Sequence, residues 1–284
     1  MQSVVSKNPR WWLWPTILSL DAPAVALLWQ AMLARSASAG IGAPERLVLG
    51  SSVWLAYAAD RWIEVWRLQP DRIRTHRHRF HLRWRWEIFA VWVAVLGLDV
   101  AEAFHGLGPG ELGAGALLLL AVATYLLSHQ LVHRASRWRA PKEACVALLL
   151  GAGAAVFVMG RPGARPALIA APLSLFVLLC FANCALISLW EDEVDRSHGA
   201  TSLALQFGGA ARGVRALPWL LALLAAAAGL MAGPAQAAAC AAASGVLLGL
   251  VDLAERRIGR MAARVLADVA LMTPLVPLLL GGLR

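Results

Sequence analysis

What most constrains this chain is a series of apolar runs, each close to the roughly 20 residues that an α-helix needs to cross a bilayer. Read against Gly, Pro and charged breakers, nine such runs emerge, at roughly 11 to 34, 46 to 66, 86 to 104, 112 to 133, 141 to 160, 166 to 190, 216 to 233, 235 to 251 and 264 to 283. They are continuous, not alternating, which excludes a transmembrane β-barrel. With 60% hydrophobic residues, the pattern predicts an all-α integral membrane protein. A single polytopic domain over residues 1–284 is expected, with pseudo-repeat halves at about 11–133 and 141–251 and a last helix at about 264–283. The first run is too long and too rich in Trp for a signal peptide, so its retention as a first helix is expected.

A net charge of +9 would suggest nucleic acid as a partner in a soluble protein. Here the cations sort by joint, and no nucleic acid is needed to explain them. One set of joints carries Lys7 and Arg10, seven arginines from Arg67 to Arg85, Arg134, Arg137, Arg139, Lys142, Arg196, Arg212, Arg215, Arg256, Arg257, Arg260 and Arg264. The other set carries Arg35, Arg46, Arg161, Arg165 and Arg284. By the positive-inside rule the first set is cytoplasmic, which places the N-terminus inside and the protein in the cytoplasmic membrane. Cys145, Cys180, Cys184 and Cys240 lie within apolar runs without metal-ligand spacing, so they read as small buried hydrophobes without disulfides.

Two runs end on the inner side in carboxylates: "WLAYAADRWIEVWR" and "ALISLWEDEVDR". Aligned, Asp60 falls over Glu191 and Glu64 over Asp195, each pair four residues apart and so on one helix face. Like charges at that spacing repel, and a divalent cation would remove the repulsion. Magnesium suits such a set, because carboxylates and substrate phosphates complete its oxygen shell. Arg61 within the first cluster and Lys142 nearby suit the phosphates of a diphosphate.

At these residues the chain resembles the UbiA-type intramembrane prenyltransferases, whose two acidic motifs have the forms NDxxDxxxD and DxxxD. Glu191 and Asp195, followed by "RSHGATSLALQFG", are similar to the second motif. The first motif departs from the pattern: Asp60 stands at its Asn, Arg61 at its first Asp, Glu64 at the next and Leu68 at the last. The resemblance implies a nine-helix bundle around a central cavity. It implies magnesium held by Asp60, Glu64, Glu191 and Asp195, which would be the catalytic set, and a diphosphate contacted by Arg61, Lys142, Arg67 and Arg134. Asn183, Asp192 and Asp21 would line the cavity. The implied reaction moves an isoprenyl group from its diphosphate to an aromatic or other lipophilic acceptor in the membrane, with Trp54, Trp62, Trp66 and Trp190 near enough to shelter an allylic cation.

Blander readings stand beside these. The acidic clusters would also serve as solvated helix ends, and "RLQPDRIRTHRHRFHLRWRW" as an anchor at the lipid surface, a contact for substrate phosphate, or both. His129 and His133, four apart, lack a third ligand at a recognisable offset and read as polar lining. Asp21 lies inside the first run beside Pro23, where an unpaired charge is costly. A non-catalytic prenyl-lipid carrier and a secondary transporter are the competing classes; the second would require broken helices.

Overall fold

The computed structural model describes residues 9–67, 76–128, 141–192, 203, 209, 211–231 and 234–281. Among them there is no strand. A 3-10 turn at Trp11–Leu13 leads into α1 (Trp14–Ile17) and α2 (Asp21–Ser36), followed by α3 (Ala43–Arg67), α4 (His76–Arg83), α5 (Arg85–Gly106) and α6 (Pro109–Leu127). The second half holds α7 (Lys142–Met159), α8 (Pro166–Trp190), α9 (Ala211–Met231), α10 (Ala235–Ile258), α11 (Arg260–Ala270) and α12 (Leu275–Gly281). Seven helices are long and apolar enough to cross a membrane, with α11 and α12 taken as one, or eight if the bent α1–α2 pair is a span.

Prolines and one glycine set several boundaries. Pro109 and Pro166 occupy the first helical turn, where the missing N–H is no loss, and Glu111 Oε2 accepts the Gly108 N–H at 2.9 Å to cap α6. Gly259 separates α10 from α11 at φ +84 and ψ 152, backbone that only glycine adopts without strain.

Two continuous helices expected from the apolar runs are broken. The first run bends by 75° between α1 and α2, with Ser19 at φ +56 in the joint and the Leu18 carbonyl receiving the Trp54 indole N–H at 2.9 Å. Asp21 is therefore the first residue of α2 and not a charge within a continuous span. The last run begins at Arg260 and is interrupted between Ala270 and Leu275, just before which stands Pro274.

The buried core joins α2, α7, α8, α10 and α11. Trp29 is fully buried, stacks on Phe176 with ring centroids 4.8 Å apart, and donates its indole N–H to the Leu271 carbonyl at 2.9 Å. That bond satisfies both the indole and a carbonyl freed where the last helix breaks. By contrast α5 and α6 bury no residue, so leucines such as Leu117, Leu119 and Leu120 face outward, where lipid would cover them.

Ion pairs identify the two ends of the bundle. At one end Arg161, beyond α7, pairs with Glu45 of α3 and lies 3.6 Å from Glu111 of α6. At the other, Glu64 of α3, Glu191 beyond α8, Arg77 of α4 and Arg264 of α11 meet. With 25 residues, α3 is about 38 Å long and runs from one end to the other. Among the described residues, Arg161 at one end and Arg77 and Arg264 at the other come from the two sets into which the charge asymmetry sorts the joints.

Candidate functional site

The site is built where α3, α4, α8 and α11 converge. Glu64 follows Arg61 by three residues, and its Oε2 accepts Arg61 Nη1 at 3.1 Å. The same oxygen lies 3.1 Å from His78 Nε2 on α4. Glu191, where the last turn of α8 ends, offers its Oε2 to Arg264 Nη1 at 2.8 Å and to Arg77 Nη2 at 3.3 Å. The histidines and arginines reach inward because α4 turns one face to the bundle: His78 and His81 are each 3% exposed.

Burial shifts the groups that lie beyond the spans. It pushes the Glu191 carboxyl up, but Arg264 and Arg77 outweigh that and hold it well below the usual carboxylate range. Burial pushes His78 down to about 4, helped by Arg77 and opposed by its hydrogen bond to Glu64, so a neutral ring donates Nε2–H to that carboxylate. Arg77 is lowered to about 10 by burial and by the neighbouring Arg264 and Arg61.

Of the residues expected here, Glu64, Arg61 and Glu191 come together. Asp60 lies one turn before Glu64 and acts electrostatically on Arg61 and Tyr125. Lys142 opens α7, and Asp192 is half-buried beside Glu191. Asp195 and Arg134, with His129 and His133, lie outside the described residues, as does the side chain of Arg67. Among the described residues no group of three His, Cys, Asp or Glu is arranged to hold a metal. Of the expected magnesium set, Asp195 lies outside the described residues, and Glu64 and Glu191 each turn Oε2 to two nitrogen donors.

The tryptophans serve packing. Trp62 stacks on Phe89 at 5.4 Å, and Trp66 meets Trp86 edge-on at 5.7 Å with Arg85 over its face at 5.0 Å. These rings bind α3 to α5. Trp190 donates to Asp252 Oδ1 at 3.0 Å, and Asp252 also pairs with Arg215 at 3.4 Å.

Sequence reasoning did not single out Arg264 or Asp268 as site residues, and it reached Arg77 and His78 only within a basic run read as a lipid anchor, a substrate-phosphate contact, or both. Asn183, 7% exposed, donates Nδ2–H to Asp268 Oδ1 at 3.0 Å, and Asp21 lies close to Asp268. Asp21 and Asp268 line a cavity of about 380 Å³ with Trp11, Trp12, Leu266 and Met272. Glu143, 2% exposed, holds the Leu203 N–H at 3.0 Å and ties the segment after the second acidic motif to α7. The signals for Arg264 and Asp268 were their spacing of four on one helix face and their place within an apolar run.

Fold and site together define a polytopic helical membrane protein with a buried cluster of charged side chains at one end of its bundle. The structure is similar to one described as the apo structure of a UbiA homolog from Aeropyrum pernix K1, with a TM-score of 0.56 and 17% identity over 90% of this chain and 98% of that one. At that identity the likeness is one of fold, and the fold is UbiA-like. No protein-family model and no curated protein matches the sequence.

Proposed function

We propose that this protein is an isoprenyl transferase of the cytoplasmic membrane, taking a prenyl diphosphate at the charged end of the bundle and a lipophilic, aromatic acceptor from the bilayer. The observation that supports it most is the buried convergence of Arg61, Arg77 and Arg264 on Glu64 and Glu191, within a UbiA-like fold. Guanidinium groups bind phosphate oxygens and neutralise the charge that develops on a leaving diphosphate. The allylic C–O bond breaks, the acceptor's electron pair forms the new bond, and its displaced proton leaves with base or solvent. Magnesium would enter this reading through Asp60 and Asp195, of which Asp195 lies outside the described residues.

The test gives purified protein labelled prenyl diphosphates and a lipid extract. A prenylated lipid absent from preparations lacking the protein is expected, and no product with any chain length would end this reading. A secondary transporter has one observation in its favour: the breaks at Ser19 and after Ala270 lie near the acidic residues Asp21 and Asp268. Uptake into proteoliposomes driven by an imposed ion gradient would select it.

A further inference from the structure

We infer that the cluster of charged side chains at the ends of α3 and α8 is an oxyanion site held by arginine side chains, in which Arg77 and Arg264 do what a divalent cation would otherwise do. This rests on the proposed use of a diphosphate and names how that group is held.

Three observations carry it. First, two carboxylates of the site among the described residues each turn Oε2 to two nitrogen donors: Glu64 to Arg61 and His78, Glu191 to Arg77 and Arg264. Oxygens so engaged are poor ligands for a hard cation, which needs them free. Second, the guanidinium groups are not spent. Each meets its carboxylate through one nitrogen, not the two-pronged fork of a saturated pair, and Arg77 Nε and Nη1 and Arg264 Nε are buried without a hydrogen-bond partner among the described residues. Buried N–H donors without partners are costly, and an oxyanion with several lone pairs is the ligand that satisfies them. Third, the three guanidiniums come from α3, α4 and α11, and the last two share one oxygen of Glu191. That shared carboxylate sets their spacing and keeps two like charges together.

The ligand class is a phosphate or diphosphate oxyanion, either free, as in a prenyl diphosphate, or on a phospholipid headgroup. The experiment measures binding of inorganic diphosphate to the full chain in detergent, with EDTA and then with magnesium. Binding that persists in EDTA is expected. R77Q and R264Q should each weaken it about tenfold or more, while R256Q, an exposed arginine at the end of α10, should not. E191Q separates the alternatives: it frees two guanidiniums and should keep or strengthen EDTA-resistant binding, whereas a metal-held site would lose it. Binding that requires magnesium and survives R77Q would overturn the inference. Thermal unfolding of each variant identifies any that fails to fold, and R77K, which keeps the charge without the fork, supplies a second test: binding equal to wild type would show a simple charge effect and reject the arginine geometry. Competition by phosphatidic acid vesicles, but not by phosphatidylcholine, assigns the site to a headgroup; competition by a prenyl diphosphate alone assigns it to the free ligand. Transfer activity that depends on magnesium and ignores R77Q would sink this inference and leave the proposed function standing. EDTA-resistant binding without transfer would do the reverse.

Discussion

His78 is the residue at which the site's chemistry becomes a stability effect. Its ring is held neutral, with a pKa of about 4 in the folded protein, by burial and the adjacent arginines, against an ordinary value near 6.5. The unfolded chain takes up a proton below that ordinary value and the folded chain does not. The stabilisation is therefore complete above about pH 6.5 and is lost as pH falls toward about 4. At about pH 5 the loss from this one residue is on the order of 2 kcal/mol. Thermal unfolding in detergent at about pH 7 and about pH 5 should show it, and H78Q, which keeps an N–H for Glu64, should have the shallower dependence. An equal slope in both proteins would remove His78 as the source. This residue also marks the limit of sequence reading. Glu64 and Glu191 were legible because carboxylates at the end of an apolar run are conspicuous. His78 and Arg77 stand in a run dense in basic residues, where only the helical phase of α4, set by packing on α3, separates inward groups from solvated ones.

At the scale of elements, small residues decide how closely helices approach. A Cβ on Gly245 would lie 2.7 Å from the Pro218 carbonyl oxygen and 2.9 Å from the Ala222 nitrogen, both backbone atoms of α9. Neither atom yields as a side chain would, so α9 and α10 would have to separate. Gly245→Val should lower stability by about 1–3 kcal/mol, read as a fall in unfolding temperature in detergent. Gly97→Ala is the control, since nothing lies within 4 Å of its added methyl group. The close contact of these helices rests on the alanines and glycines that also made both segments look merely apolar. Element positions were readable from such composition, because length and hydropathy suffice for a membrane helix. The two breaks were not. A bend of 75° at Ser19 carries no glycine or central proline to announce it, and it is stabilised by the distant Trp54, which supplies the Leu18 carbonyl with a donor.

At the scale of the whole molecule, the bundle has one end rich in arginine and one end sealed by the Arg161, Glu45 and Glu111 contacts. Cations in short joints are retained on the cytoplasmic side during insertion, so the cluster of Arg77, Arg264 and Glu191 should face the cytoplasm. A diphosphate, too polar to cross the hydrocarbon core unaided, would then reach the cluster from the compartment that faces it. Single cysteines in a background without Cys145, Cys180, Cys184 and Cys240 test this directly. R165C at the sealed end and R256C at the charged end both replace exposed side chains. A membrane-impermeant maleimide added to intact cells should label R165C and leave R256C unreacted until the membrane is opened. The inverse pattern would turn the cluster outward, and a cytoplasmic prenyl diphosphate would no longer have access to the arginines that the fold has gathered for it.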